Sequence, residues 1–130
     1  MRLGNSVLIQ KLKPLIVILG PTSVGKTEIS LQLAERFRGE IISADSRLIY
    51  KGMDIGTAKP SSEERKRIPH HLIDVALPDE TWTLAKFQRA VYKIIDDAHE
   101  REILPFLVGG TGQYLRCITE GWIIPEVKPD

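Results

Sequence analysis

The chain has 130 residues, 42% hydrophobic and 27% charged, which is the make-up of one globular domain with a single buried core. Its 18 basic and 17 acidic residues nearly cancel, so no overall field marks a polyanionic partner, although a local basic strip would suffice for RNA. A single cysteine, Cys117, excludes an internal disulfide and suits a reducing compartment, and the apolar run Leu15 to Leu19 is far shorter than the roughly 20 residues that cross a bilayer.

The first fourteen residues carry Arg2, Lys11 and Lys13 without an acid and read as an N-terminal extension with a frayed end, ahead of a core over residues 15–130. Leu15 to Leu19 is unbroken and rich in branched residues, the pattern of a strand covered on both faces. Gly20 breaks it. Ile29, Leu33 and Phe37, spaced four apart with Ala34 beside them, predict a helix with one apolar stripe, ended by Gly39. Glu40 to Ser43 reads as a short second strand, Tyr50 to Pro69 as mostly loop, and His71 to Val75 as a third strand. Leu84, Phe87, Val91, Ile94, Ile95 and Ala98 mark a long amphipathic helix capped near Thr81 or Thr83. Pro105 to Val108 is a fourth strand, and Gly109-Gly110-Thr111-Gly112 opens a last helix through Cys117. Strands alternating with helices predict an α/β fold: a parallel sheet with helices on both faces.

The strongest chemical signal is Gly20-Pro21-Thr22-Ser23-Val24-Gly25-Lys26-Thr27, which fits G-x-x-x-x-G-K-[ST] between a predicted strand and a predicted helix. Glycines let the backbone wrap an anion so that successive N–H groups point inward, and the helix beginning at Lys26 adds the positive end of its dipole. Lys26 supplies a mobile cation, and the Thr27 hydroxyl is the candidate ligand for a magnesium ion shared with the phosphates. The motif specifies a diphosphate or triphosphate without specifying the molecule.

Asp45, in Ser43-Ala44-Asp45-Ser46, follows the second strand at the carboxyl edge of the sheet, where ligands of open α/β sheets bind. An ionised aspartate there can accept a proton from an incoming nucleophile, and the competing reading is a plain cap or turn residue. The glycine-rich turn after the fourth strand lies on the same edge and puts Thr111 where it can orient Asp45.

These segments, with Ser43 to Tyr50 (SADSRLIY), Gly52 to Pro60 (GMDIGTAKP), Pro69 to Asp74 (PHHLID) and Val108 to Leu115 (VGGTGQYL), together resemble the tRNA dimethylallyltransferase family in order and spacing from Leu15 onward. The resemblance implies a P-loop-type core, a dimethylallyl diphosphate donor held with magnesium by the Gly20–Thr27 loop, and transfer to the exocyclic amine of the adenosine 3′ of the tRNA anticodon. It further implies that Asp45 is the general base, that Asp45, Ser46, Arg47 and Leu48 contact the tRNA, and that Thr111 supports the target base, which must be flipped out to arrive. The expected setting is a cytoplasmic monomer with no membrane. Two departures stand out. Leu48 occupies a position where many relatives carry glutamine, and the family's chains continue past Asp130 into an inserted helical domain that grips the anticodon stem. The resemblance therefore implies a front portion with an incomplete sheet and little grip on tRNA of its own.

Other residues take plainer readings. The neighbours His70 and His71 point apart on a strand and serve structure rather than a metal, Arg65 to Arg67 form a solvated helix end beside Glu63 and Glu64, and Trp82 and Trp122 pack. Lys59 stands evenly between an anion contact and a structural role. A P-loop kinase, with Asp45 activating a hydroxyl, and a non-catalytic binding remnant are the competing readings of the whole.

Overall fold

The computed structural model describes residues 14–20, 25–52, 59–110 and 112–124. Four parallel strands form one sheet: β1 (Ile16–Leu19), β2 (Gly39–Ser43), β3 (His70–His71) and β4 (Leu104–Gly109), in the order β1-β4-β2-β3. Helices α1 (Lys26–Arg36), α2 (Ser62–Arg67), α3 (Leu84–Glu100) and α4 (Gln113–Thr119) connect and flank them. The α/β expectation holds.

Alternation along the two central strands builds a core on each face of the sheet. Ile42 and Leu107 point to one side and are covered by Phe87, Val91 and Ile95 of α3 and by Leu115 and Ile118 of α4. Ile41 and Phe106 point to the other and meet Leu31 and Ala34 of α1, with Ile68. Because β4 is inserted between β1 and β2, the carboxyl ends of all three strands open on one edge, with β4 in the middle.

Several local expectations need correcting. The buried face of α1 is Lys26, Ser30, Leu31 and Ala34, whereas Ile29 and Phe37 are 50% and 54% exposed. Ser30 tolerates burial because its hydroxyl donates to the Lys26 carbonyl at 2.7 Å. Gly39 does not end that helix. The left-handed residue is Arg38, with φ 54°, and Gly39 already lies in β2, where a Cβ would stand 2.3 Å from Phe106 Cε1. The supposed loop before Pro69 contains α2, started by a capping box in which Ser61 Oγ accepts from Glu64 N and Glu64 Oε1 accepts from Ser61 N. The third strand is shorter than its apolar run, because Leu72 and Asp74 turn left-handed at φ 65° and 56°. Asp74 and Val75 then bond the stretch after β2: Asp74 N–H donates to Leu48 O and Val75 N–H to Ile49 O. β1 lies at the sheet's margin beside β4 alone, so Ile16 and Leu19 are 38% and 52% exposed rather than covered on both faces. Thr83 caps α3 by accepting from Lys86 N–H, one of the two expected positions. No helix among the described residues is long and apolar enough to cross a membrane.

Candidate functional site

Of the phosphate-binding motif, Gly20, Gly25, Lys26 and Thr27 are described, while Pro21, Thr22, Ser23 and Val24 lie outside the described residues, as does Thr111. Gly25 has φ 76° and precedes α1, where no described side chain caps the helix. Uncapped first-turn N–H groups and a positive dipole end are what an anion needs. Lys26 is 7% exposed and donates to the Gly20 carbonyl at 2.6 Å, which ties the two ends of the motif together. Burial pulls the Lys26 ammonium below its ordinary pKa, and the Asp45 carboxylate acts in the opposite direction.

Asp45 lies two residues beyond the end of β2 and starts a 3-10 turn over Ser46–Leu48. Its Oδ1 accepts from Arg47 N at 2.9 Å and from Arg47 Nε at 3.1 Å, and its Oδ2 accepts from Arg47 Nη2 at 2.8 Å. The capping role suggested by Asp-Ser is therefore real, and it coexists with an ion pair to the next residue but one. Burial pushes the Asp45 carboxyl up, but hydrogen bonds from Arg47 and the nearby Lys26 charge outweigh it and hold the group below the ordinary carboxylate range. Asp45 is thus ionised at neutral pH.

Two cavities meet at Lys26 and Asp45, which line both. The first lies against the α1 face of the sheet; besides Thr27 its walls are largely apolar, with Ile41, Leu48, Pro60, Ile73 and Val108. The second opens toward α4 and is more polar, bounded by Gly20, Ser46, Arg47, Gly110, Gly112 and Gln113. Gly109, between them at the end of β4, has no room for a side chain, since a Cβ would stand 2.9 Å from the Ala44 Cβ. That close approach lets the ends of β2 and β4 form a thin wall.

The expected RNA contacts divide between these cavities. Ser46 and Arg47 line the second, while Leu48 is 7% exposed and contributes to the first. Reading the sequence missed His70 and Ile73 as lining residues of the first cavity. Their signal was the PHHLID segment, whose chemistry no general rule explains. The His70 Nδ1 lies 2.7 Å from the Ile68 carbonyl, so it carries the proton and leaves Nε2 as an acceptor, and burial lowers the ring's pKa. The Lys59 ammonium pairs with Asp74 Oδ1 at 2.5 Å, and Arg65 holds Asp74 Oδ2 at 3.0 Å. Arg67 is likewise paired, with Glu28 and Glu35 on α1. Trp82 and Trp122 pack against the α3 core as expected.

Comparison with known proteins agrees with this fold. The family model for IPP transferase matches residues 48–130. The tRNA dimethylallyltransferase of Roseiflexus sp. (strain RS-1) is 57% identical over 116 residues, covering 89% of this chain and 38% of that protein. That of Herpetosiphon aurantiacus is 55% identical over 119 residues, again covering 38% of its length. The crystal structure of the full-length tRNA isopentenylpyrophosphate transferase from Bacillus halodurans superposes with a TM-score of 0.84 at 47% identity, over 92% of this chain and 39% of that one. A eukaryotic dimethylallyltransferase acting on tRNA superposes with a TM-score of 0.73 at 39% identity. The chain thus spans well under half the length of these relatives.

Proposed function

Because the chain belongs to the IPP transferase family, we propose that it carries the donor site and the base of a reaction moving a dimethylallyl group from its diphosphate to the N6 amine of the adenosine 3′ of a tRNA anticodon. The observation that supports this most is the sharing of Lys26 and Asp45 by an apolar cavity and a polar cleft. A prenyl diphosphate is half apolar and half anionic. Its five-carbon chain suits the Ile41, Leu48 and Ile73 walls, and its diphosphate suits Lys26, the α1 N-terminus and the Gly20–Thr27 loop. The polar cleft across the wall then admits the adenine edge beside Asp45.

In this reading the amine nitrogen forms a bond to the first carbon of the chain as the carbon–oxygen bond to the diphosphate breaks. The electron pair leaves with the diphosphate, and the amine proton passes to the Asp45 carboxylate. Adenine's amine is a poor nucleophile because its lone pair is delocalised into the ring, so an ionised acceptor beside it matters. Lys26 and the first-turn N–H groups of α1 face the charge that builds on the leaving group. Among the described residues no three His, Cys, Asp or Glu converge as a metal site. Magnesium, where bound, would take Thr27 as a protein ligand and would supply further charge neutralisation to the diphosphate. Within this reading Ser46 and Arg47 face the RNA, and Thr111 supports the target base.

The test is Asp45→Asn. Transfer should fall on the order of a hundredfold to ten-thousandfold, while pyrophosphate binding by calorimetry stays unchanged. Transfer at the normal rate would refute Asp45 as the base.

A further inference from the structure

An ionised carboxylate offers about four acceptor positions, two on each oxygen. On Asp45, Arg47 fills three of them: its backbone N–H and Nε occupy both positions on Oδ1, and Nη2 occupies one on Oδ2. Among the described residues nothing else bonds the carboxylate, so one position remains, on Oδ2. A proton acceptor with one open lone pair at a fixed place is what transfer from an amine N–H requires.

The stability of the fold gives no reason for this arrangement. The Arg47 side chain is 58% exposed, and an exposed ion pair contributes little to stability. The pair is also local, joining residues two apart, so it holds no separate elements together. What it fixes is the orientation of Asp45. The planar fork of a guanidinium sets the plane of the carboxylate it grips, which the single point charge of a lysine cannot do.

We propose that Arg47 is a positioning residue, clamping the Asp45 carboxylate so that one Oδ2 lone pair is presented to the nucleophile's amine. The inference rests on the reading of Asp45 as the base, and it gives Arg47 a role apart from contact with RNA phosphate. Two charged groups bear on the titration of Asp45, Arg47 from its own turn and Lys26 from α1, and His70 from β3 lines the same first cavity.

Two variants of the chain, Arg47→Gln and Arg47→Lys, test the role through two readouts. The first is the Asp45 carboxyl titration followed by carbon NMR, with pyrophosphate binding as the check on folding. The midpoint should rise in Arg47→Gln and rise less in Arg47→Lys, which keeps the charge. The second is the single-turnover rate of dimethylallyl transfer with protein in saturating excess over RNA. It should fall on the order of tenfold to a hundredfold in both variants, lysine included, because the fork is lost in both. An unmoved Asp45 midpoint in Arg47→Gln would overturn the clamp. So would an unchanged saturated rate with a raised KM for RNA, which would make Arg47 a phosphate contact. If the unaltered chain transfers no prenyl group, the proposed reaction fails, yet the titration still decides whether the clamp exists.

Discussion

Two carboxylates bracket β2, Glu40 near its start and Asp45 just beyond its end, and both are held by arginine. Glu40 is bound from afar. Its oxygens accept from Arg101 at 2.7 and 3.0 Å and from His71 at 2.7 Å, joining the sheet to the end of α3. Hydrogen bonding from Arg101, helped by His71 and opposed by burial, lowers its pKa to about 2. Among the described residues the Asp45 carboxylate is bound only by its near neighbour Arg47, and it faces two cavities. Similar chemistry thus serves cohesion at one end of the strand and leaves a carboxylate facing two cavities at the other. The sequence separation of the partners makes the difference: long-range bonds are lost on unfolding, whereas a local pair contributes little to cohesion.

The comparison can be tested from either end of the strand. At the site, Lys26→Ala should reduce pyrophosphate affinity about tenfold to a hundredfold, the loss of one charge-assisted contact. Unchanged calorimetry would remove the loop from the account. At the other end, Glu40→Gln should destabilise the fold by about 1–2 kcal/mol in urea unfolding, a figure discounted because the Arg101 side chain is 43% exposed. Its pH dependence has a definite sign. A carboxylate held at about 2 in the folded chain contributes stability above its unfolded pKa near 4.5, and that stability fades as pH falls toward 2. Thermal midpoints should therefore drop more steeply over that window in the unaltered chain than in Glu40→Gln, and equal slopes would contradict the linkage. Smallest of all should be the stability change of Asp45→Asn, within about 0.5 kcal/mol. Asparagine keeps the oxygen that accepts from Arg47 N–H, so a much earlier melt would return Asp45 to the role of a structural cap.

Legibility in the sequence followed the same divide between local and distant causes. The α3 stripe and the α/β alternation rest on spacing within a few residues, and both could be placed. The capping box Ser61 to Glu64 was equally local, but the charge run after it and the lack of any buried residue hid α2. The α1 face misled because periodicity marks a stripe without saying where the sheet lies. Ile29, Leu33 and Phe37 do form one, yet the sheet takes Ser30, Leu31 and Ala34. The end of β3 depends on Asp74 bonding Leu48, a contact between distant segments that leaves no pattern in either. The same holds for the site. Asp45 was visible by its place after a strand, but the sharing of Asp45 by two cavities follows from β4 lying between β1 and β2.

The most direct measurement offers the protein radiolabelled dimethylallyl diphosphate and labelled ATP in separate reactions, each with and without tRNA, and follows label into RNA. The account predicts label in adenosine from the prenyl donor alone, strictly dependent on tRNA. Phosphate transfer from ATP to RNA or a small molecule, with none from the prenyl donor, would contradict it and return the site to a kinase.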